Sequence, residues 1–237
     1  MIPRRALITG ASSGIGRSIA IALSTPGSEL FLAGRSRDRL ENVATNVRSR
    51  GAVAHVHVVD LGDDAAVQDF VRGIFATGDS LDVVVHSAGA VALGRVENAA
   101  VGDLDRQYSA NVRAPYLLTQ LLLPLVRKAR GQFVFVNSGA GLHARAGWGQ
   151  YAMTKHALRA LADCLREEVG GEGIRVLSVY PGRTATPMQE DVHRMEGREY
   201  DAARFLSPDD VASEVVHALG LPERATVIDL SIRPTRG

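Results

Sequence analysis

Hydrophobic residues recur along the chain in short runs that alternate with longer amphipathic segments. Seven apolar runs of strand length occupy residues 6–9, 30–33, 53–59, 83–86, 133–137, 176–179 and 227–230. Segments with helical spacing fill the gaps, at 14–25, 36–50, 64–76, 101–129, 150–170 and 208–220. Such alternation is typical of a parallel sheet covered by helices on both faces. The pattern therefore predicts a three-layer α/β fold, a doubly wound parallel β-sheet between two layers of helices.

One stretch, residues 187–206, shows no clear periodicity and is rich in charge. A segment of this length without regular structure is commonly an active-site lid, although a surface loop is the alternative. Directly after it, the run Ser207-Pro208-Asp209-Asp210 predicts a capped helix start. With no repeat or linker, the chain is expected to form one domain over residues 1–237, with a substrate lid at 187–206.

Composition narrows the classes of partner. Hydrophobic residues make up 46% of the chain and charged residues 22%, and the formal charge is +1. These values are typical of a globular protein and give no electrostatic reason to expect nucleic acid or an acidic membrane surface. The chain enters a strand almost at once, which leaves no room for a signal peptide, and no apolar run could span a bilayer. We therefore expect a soluble cytoplasmic protein.

Cysteine and histidine usage gives no sign of a metal site. Cys164 is the single cysteine, and its apolar helical surroundings predict a buried small side chain. His55 and His57 share one face of a strand, but no further ligands stand at suitable spacing. No metal is expected.

The first strand is followed by the glycine-rich run TGASSGIG at residues 9–16, which also opens the first helix. Glycines at these spacings permit a tight turn, close approach of a pyrophosphate and packing of the helix on the strand. The helix N-terminus then offers free N–H groups to the anion. The run predicts the dinucleotide cradle of a Rossmann fold, formed by Gly10, Ser12, Ser13, Gly14, Ile15 and Gly16.

The end of the second strand bears on the choice of cofactor. A carboxylate there would bind the ribose hydroxyl of NAD, but the chain has Arg35, Ser36 and Arg37 instead. A planar guanidinium can pair with the 2′-phosphate of NADP, which favours NADP(H) over NAD(H). The alternative is a solvated arginine at a helix start.

Tyr151 and Lys155 are four positions apart in a helical run, so their side chains lie on one face, one turn apart. At roughly 4 Å the ammonium would favour the phenolate by about 4 kcal/mol, which corresponds to about 3 pKa units. Burial opposes the shift, so this is an upper value. A tyrosine with a pKa near neutrality could both donate and accept a proton.

Together, the glycine run and the Tyr151/Lys155 pair resemble the short-chain dehydrogenase/reductase family over nearly the whole chain. Further matches stand in order after successive strands: Asp60-Leu61, Ser87-Ala88-Gly89, Asn111, Ser138, Pro181-Gly182 and Thr186. The sequence departs from the family where Ser87 replaces an asparagine, where His86 precedes it, and where Thr184 replaces an apolar residue.

The resemblance implies a carbonyl–alcohol oxidoreductase and assigns roles to these residues. Tyr151 would be the general acid or base. Lys155 would lower the pKa of Tyr151 and hold the nicotinamide ribose, and Ser138 would bind the carbonyl oxygen. Asn111 would distort its helix and order a water molecule that links Lys155 to solvent. The implied cofactor contacts are the cradle, the residues after the second strand, and Asp60, Leu61, Ser87, Ala88, Gly89, Asn111, Tyr151, Lys155, Pro181, Gly182, Thr184 and Thr186.

The substrate pocket is expected to flank the catalytic segment, at Ala140, Leu142, Trp148 and Arg183. Trp148 could form an apolar wall or pack the lid. Arg183 or Arg145 could anchor an anionic substrate, although an exposed loop arginine is the simpler interpretation. For His143, a solvent-facing position is preferred over a second proton donor.

Two functions remain open from the sequence. One is an NADP(H)-dependent carbonyl reductase or alcohol dehydrogenase, and the other is a catalytically silent NADP(H)-binding sensor or scaffold. The resemblance also implies pairing of helices 101–129 and 150–170 across a twofold axis, hence a homodimer or homotetramer. At the C-terminus, the Ile-Arg-Pro segment at 232–234 resembles family members acting on hydroxy acids or small carbonyls.

Overall fold

Seven parallel strands form one sheet in the computed structural model, which describes residues 4–235. The sheet order is β3-β2-β1-β4-β5-β6-β7. Because the order reverses between β1 and β4, a crevice opens at the carboxyl ends of these strands, where such folds bind ligands. The strands are β1 Arg5–Thr9, β2 Glu29–Gly34, β3 Val53–Val58, β4 Val83–His86, β5 Gln132–Val136, β6 Arg175–Pro181 and β7 Asp229–Ile232.

Successive strand residues point to opposite faces and so build two separate cores. In β1, Ala6 and Ile8 enter one core while Leu7 enters the other, and all three are fully buried. In β5, Val134 joins the first core and Phe133 the second. Each fully buried large apolar side chain contributes roughly 1.5–3 kcal/mol. The near-continuous apolar strands of the sequence are thus explained by burial on both faces.

Six of the eight α-helices within residues 4–235 pack on the sheet. The core on one face is closed by α1, α2 and α8, and the core on the other by α3, α5 and α6. This arrangement confirms the predicted three-layer, doubly wound fold. No helix within residues 4–235 is both long and apolar enough to cross a membrane. The helices are α1 Gly14–Leu23, α2 Arg37–Ser49, α3 Asp64–Thr77, α4 Val101–Tyr108, α5 Ala114–Ala129, α6 Gly149–Val169, α7 Pro187–Glu196 and α8 Pro208–Leu219.

The predicted helix start at residue 207 is confirmed. The Ser207 side chain accepts from the backbone N–H of Asp209 at 3.1 Å, and the Asp210 carboxylate accepts from the N–H of Ser207 at 2.8 Å. This reciprocal capping box places the start of α8 where the sequence indicated.

The prediction that residues 187–206 lack regular structure is wrong. Ten of them form α7, and residues 202–204 form a short 3₁₀ turn. Thr186 caps α7 by accepting from the N–H of Gln189 at 3.2 Å, Pro187 occupies the first turn, and Gly197 ends the helix at φ 65°. These are ordinary helix signals. They escape a search for apolar periodicity because the buried side of α7 includes polar Gln189 and His193.

Three smaller expectations also differ from the structure. The helix expected at 101–129 is divided into α4 and α5 by a π-helical turn, Ser109–Arg113. The last strand begins at Asp229 rather than at residue 227. Cys164 is exposed rather than buried, because the buried side of α6 passes through Ala162 and Leu165 on either side of it.

Candidate active site

A cavity of about 940 Å³ runs along the carboxyl edge of the sheet. Loops that follow β1, β2, β3, β4, β5 and β6 all contribute to its wall, as does Arg233 after β7. Residues expected at the site that do line it are Gly10, Ser12, Ser13, Gly14, Ile15, Arg35, Asp60, Leu61, Ser87, Ala88, Gly89, Ser138, Ala140, Trp148, Tyr151, Lys155, Pro181, Gly182, Arg183, Thr184 and Thr186. The wall formed by residues 4–235 does not include Gly16, Ser36, Arg37, Asn111 or Leu142.

The turn after β1 requires glycine for two different reasons. Gly10 and Gly14 have φ of 64° and 54°, which disfavour any residue with a side chain. A Cβ at Gly10 would lie 2.8 Å from the backbone nitrogen of Ala88, and one at Gly16 would lie 2.6 Å from the carbonyl oxygen of Gly10. Gly16 therefore packs α1 against the turn instead of lining the cavity.

This turn suits a pyrophosphate. Helix α1 begins at Gly14, and the Ser13 side chain makes no capping hydrogen bond within the described part of the chain. The N-terminal N–H groups of α1 therefore face the cavity without a side-chain acceptor, and the helix dipole adds partial positive charge there. Both features fit the diphosphate of a dinucleotide.

The ends of β2 and β3 form the far end of the cavity. Arg35 is exposed there, whereas Ser36 and Arg37 stand at the start of α2, away from the wall. After β3, the Asp60 carboxylate accepts from the N–H of Gly62 at 2.9 Å, which turns the chain along the cavity. Of the three residues expected to meet a 2′-phosphate, Arg35 lines the cavity and the other two do not.

A threonine that the sequence analysis did not select positions the loop after β4. The hydroxyl of Thr9 accepts from the backbone N–H of Ser87 at 3.0 Å and of Ala88 at 3.1 Å. This side chain thus joins the glycine turn to the Ser87–Gly89 segment, in a buried position. The signal available in the sequence was its place as the first residue of the glycine run.

Asn111 lies at the centre of the π-helical turn, nearly completely buried. Its amide donates to the carbonyl oxygen of Ala90 and to the Thr154 hydroxyl, both at 2.9 Å, and accepts from the N–H of Ala90 at 2.8 Å. The expected local distortion of the helix is present. The side chain links the β4 loop to α6 beside Lys155, so it supports the cavity wall from behind.

Ser138, Tyr151 and Lys155 come together on the cavity wall. Ser138 follows β5, and its hydroxyl accepts from the N–H of Ala140 at 3.2 Å. The same hydroxyl is within hydrogen-bonding reach of the Tyr151 hydroxyl. Tyr151 and Lys155 are both buried in the first half of α6. The ring of Trp148 packs edge-on against that of Tyr151, with 5.9 Å between centroids.

The pKa expected for Tyr151 from its spacing to Lys155 is wrong. Burial raises the pKa of Tyr151 to about 12, and the hydrogen-bonding contact with Ser138 only partly opposes this. Burial also lowers the pKa of Lys155 to about 8. The ammonium nitrogen lies 5.7 Å from the Tyr151 ring centroid and donates to the carbonyl oxygen of Val136 at 3.1 Å. Desolvation therefore outweighs the charge attraction that the spacing alone suggested.

Arg183 is not the exposed loop arginine that the sequence favoured. Its Nη2 donates to both carboxylate oxygens of Glu196, at 2.7 and 3.0 Å, and its Nη1 lies 3.0 Å from Nε2 of His193. Burial opposes ionisation of Glu196, but the hydrogen bond from Arg183 and the surrounding guanidinium charges outweigh it and lower its pKa. The pair ties the loop after β6 to the last turn of α7.

The remaining substrate candidates divide into two groups. Ala140, Trp148, His143 and Arg145 line the cavity, while Leu142 is not part of its wall. His143 is exposed, as preferred from the sequence. Met188, Gln189 and Val192, which belong to the stretch expected to form the lid, also line the cavity. Val91 in the β4 loop and Arg233 after β7 line it as well, and sequence reasoning missed both.

The two strand histidines have structural partners. Nε2 of His55 lies 2.8 Å from the Glu29 carboxylate, and its ring stacks on Phe31 at 4.9 Å. His57 packs against Phe70. Within residues 4–235, no three potential metal ligands cluster together.

Known proteins share this sequence pattern and this architecture. Residues 4–197 match the family described as short chain dehydrogenase. An uncharacterized oxidoreductase of Staphylococcus epidermidis is 29% identical over 230 residues, which cover 97% of this chain and 96% of that protein. An alcohol dehydrogenase from the archaeon Thermococcus sibiricus, complexed with 5-hydroxy-NADP, superposes with a TM-score of 0.89 at 28% identity, covering 99% of this chain and 97% of the other. A metagenomic short-chain oxidoreductase in complex with NADP gives a TM-score of 0.83 at 27% identity, covering 99% and 98%.

Proposed function

The chain belongs to the short-chain dehydrogenase family of oxidoreductases, and we propose that it interconverts a carbonyl compound and an alcohol with NADP(H). The meeting of Ser138, Tyr151 and Lys155 in the cavity that also contains the glycine turn carries this proposal. A nicotinamide bound there would supply or accept the hydride at the carbonyl carbon.

The residues that would hold this cofactor follow the carboxyl edge of the sheet. The N-terminus of α1 would bind the pyrophosphate, and Arg35 the 2′-phosphate. Asp60 lines the cavity after β3, Lys155 lines it from α6, and Thr186 lines it next to Gly14. The two structural relatives are complexed with 5-hydroxy-NADP and NADP, which supports this preference.

In this reaction the protein would transfer one proton to the carbonyl oxygen. With its pKa near 12, Tyr151 is protonated at neutral pH and can act as the general acid that protonates the carbonyl oxygen. Ser138 can donate a hydrogen bond to the same oxygen and stabilise the charge that develops there. Lys155, with a pKa near 8, carries most of its positive charge at pH 7 and stabilises the phenolate as it forms. The reverse proton movement would serve alcohol oxidation.

We propose that residues 187–206 act as a lid over the substrate side of a one-domain enzyme. Met188, Gln189 and Val192 of α7 line the cavity, and the Arg183–Glu196 ion pair holds the last turn of this helix. Backbone hydrogen bonds of Leu206 with Arg183 and Ala185 hold the end of the segment next to its start. A segment that forms one wall between two fixed ends is suited to opening and closing.

We also propose that the protein is a homodimer or homotetramer. Tyr108, Tyr116 and Met153 are each more than half exposed, on α4, α5 and α6. Exposed large apolar side chains on these helices favour burial against a second copy. Light scattering at several protein concentrations would measure the mass, and a monomer at micromolar concentration would contradict the proposal.

A measurement of turnover would distinguish the proposed oxidoreductase from a catalytically silent sensor or scaffold. Oxidation of NADPH, followed by absorbance, would be measured with a panel of aldehydes and ketones, using the wild type and Tyr151→Phe. We expect turnover of at least one carbonyl by the wild type alone. NADPH binding without turnover of any carbonyl or alcohol would instead support the sensor.

A further inference from the structure

We propose that the substrate carries a carboxylate and that the guanidinium of Arg145 binds it, so that the enzyme acts on an oxo acid or hydroxy acid. This inference rests on the proposed function and names its substrate class. Arg145 lines the cavity, and its guanidinium carbon lies 4.0 Å from the centroid of the Trp148 ring. That ring in turn packs against Tyr151. One indole therefore separates the charged group from the proposed proton donor.

Arg145 rather than Arg183 has donors free for a ligand. Both carboxylate oxygens of Glu196 accept from Arg183, whose side chain is only 23% exposed. Nη2 of Arg145 lies 3.7 Å from Glu196, which is too far for a hydrogen bond, and its side chain is 56% exposed. Stacking on the indole holds the planar fork in place, so less side-chain entropy is lost when it binds a carboxylate through two parallel hydrogen bonds.

Positive charge is in excess on this side of the cavity. Glu196 is shared by Arg145, Arg183 and the more distant Arg198. Arg233 adds another guanidinium to the wall, and its Nη1 donates to the carbonyl oxygens of Tyr180 and Ile232 rather than to a carboxylate.

The acid that lines the cavity stands at its other end. Within residues 4–235, the wall contains one carboxylate, that of Asp60 after β3, and β3 is at the opposite edge of the sheet from β6 and β7. Partial burial and the neighbouring arginines Arg183 and Arg198 lower the pKa of Arg145, although Glu196 raises it. A bound anion would stabilise the charged guanidinium. A cleft lined by one sign of charge also concentrates ligands of the other sign.

The test compares matched acids and esters. The 2-oxo, 3-oxo and 4-oxo derivatives of a short carboxylic acid, each with its methyl ester, would be assayed for kcat/KM with NADPH. We expect at least one acid to be preferred over its ester by the wild type. Arg145→Met keeps an unbranched side chain over the indole but removes the charge, and it should lower kcat/KM for that acid about 10- to 100-fold. The same variant should change kcat/KM for the ester by less than about threefold.

Arg198→Met is the matched control, because it also removes one positive charge near Glu196, from a side chain outside the cavity wall. It should leave kcat/KM for both the acid and the ester nearly unchanged. This result would distinguish direct binding by Arg145 from the electrostatic field of all the nearby arginines. Arg145→Lys, which retains charge without the planar fork, should recover part of the acid activity and serves if the methionine variant is unstable.

Three results would each overturn the inference. Arg145→Met could lower kcat/KM equally for acid and ester, or Arg198→Met could lower kcat/KM for the acid as much as Arg145→Met does. The third is a higher kcat/KM of the wild type for the ester than for the acid. Those outcomes leave carbonyl reduction itself intact. If no oxo acid, ester or neutral carbonyl oxidised NADPH, the proposed function would fail first.

Discussion

The ammonium nitrogen of Lys155 lies 5.7 Å from the centre of the Tyr151 ring, yet it donates its hydrogen bond to the carbonyl oxygen of Val136. Both side chains are buried, and burial moves their pKa values in opposite directions, that of the phenol to about 12 and that of the ammonium to about 8. The pair therefore consists of a firmly protonated acid and a cation that loses its charge in mild alkali. This relationship sets the direction of proton transfer that suits neutral pH, which is donation to a carbonyl oxygen.

Tyr151→Phe should lower kcat for carbonyl reduction by about 10³-fold, because a general acid typically contributes 10²- to 10⁴-fold. The phenyl ring preserves the packing against Trp148, so NADPH affinity should stay within about twofold. Trp148 is the only tryptophan in the chain and its fluorescence would report binding. Retention of most of the activity would contradict the role of Tyr151.

Arg35→Ala should lower kcat/KM for NADPH by roughly 10- to 100-fold, because a charge-assisted hydrogen bond contributes about 1.5–3 kcal/mol. The value for NADH should change little, since NADH lacks the 2′-phosphate. Arg37→Ala removes the same charge two residues later, outside the cavity wall, and should affect both cofactors only slightly. An equal loss for NADPH and NADH in Arg35→Ala would argue against the assignment to NADP(H).

The rate of carbonyl reduction should be level in neutral solution and fall as the pH rises above about 8. Lys155 has its pKa lowered to about 8, so its positive charge is present below that pH and lost above it. Tyr151 stays protonated over the same interval because its pKa is near 12. The measurement is kcat/KM for reduction from pH 6 to pH 10, with the stability of the protein checked at each value. A rate that stays level to pH 10 would show that Lys155 keeps its charge.

Acid should destabilise the fold through His86. This ring is buried against Phe133 and Phe135, and burial lowers its pKa from 6.5 to about 3. The unfolded chain binds this proton below about pH 6.5, whereas the folded chain does so only near pH 3. The free energy of unfolding should therefore decrease as the pH falls through that window, by up to about 5 kcal/mol.

His86→Phe provides the comparison for this acid effect. It keeps an aromatic ring in the stack but removes the contact between Nε2 and the Thr119 hydroxyl, 3.0 Å apart. We expect it to be about 1–2 kcal/mol less stable at pH 7 and to lose much of the slope between pH 6.5 and 3 in urea unfolding. If the free energy of unfolding of His86→Phe depended on pH as it does in the wild type, groups other than His86 would cause the acid sensitivity.

Glu196→Gln should loosen the lid, since it removes the carboxylate that binds Arg183. Trypsin should then cleave within residues 187–206 faster, and KM for the carbonyl should rise more than kcat falls. Asp191→Asn is the matched control, because it removes a carboxylate of the same helix that pairs with Arg194 on the surface. If trypsin cleaved the wild type, Glu196→Gln and Asp191→Asn at the same rate, a lid held by this ion pair would be contradicted.

Much of the fold could be read from local pattern. Ala6, Leu7 and Ile8 alternate between two cores as expected of a strand covered on both faces, and Gly10 and Gly14 adopt the positive φ that the turn demands. Helix α7 carried its own signals in Thr186 and Gly197, but it was missed because its buried side includes polar residues. The four-residue spacing placed Tyr151 and Lys155 on one side of α6, since helix geometry depends only on neighbours in the chain.

Tertiary structure decided everything that depends on surroundings. The pKa of Tyr151 follows from its burial beside Ser138, and the partner of Arg183 is Glu196 from a different element. Arg233 reaches the cavity from the edge strand. Desolvation and charge pairing act through space between segments far apart in sequence, so the order of residues alone determined which groups are present, while packing determined their protonation and their partners.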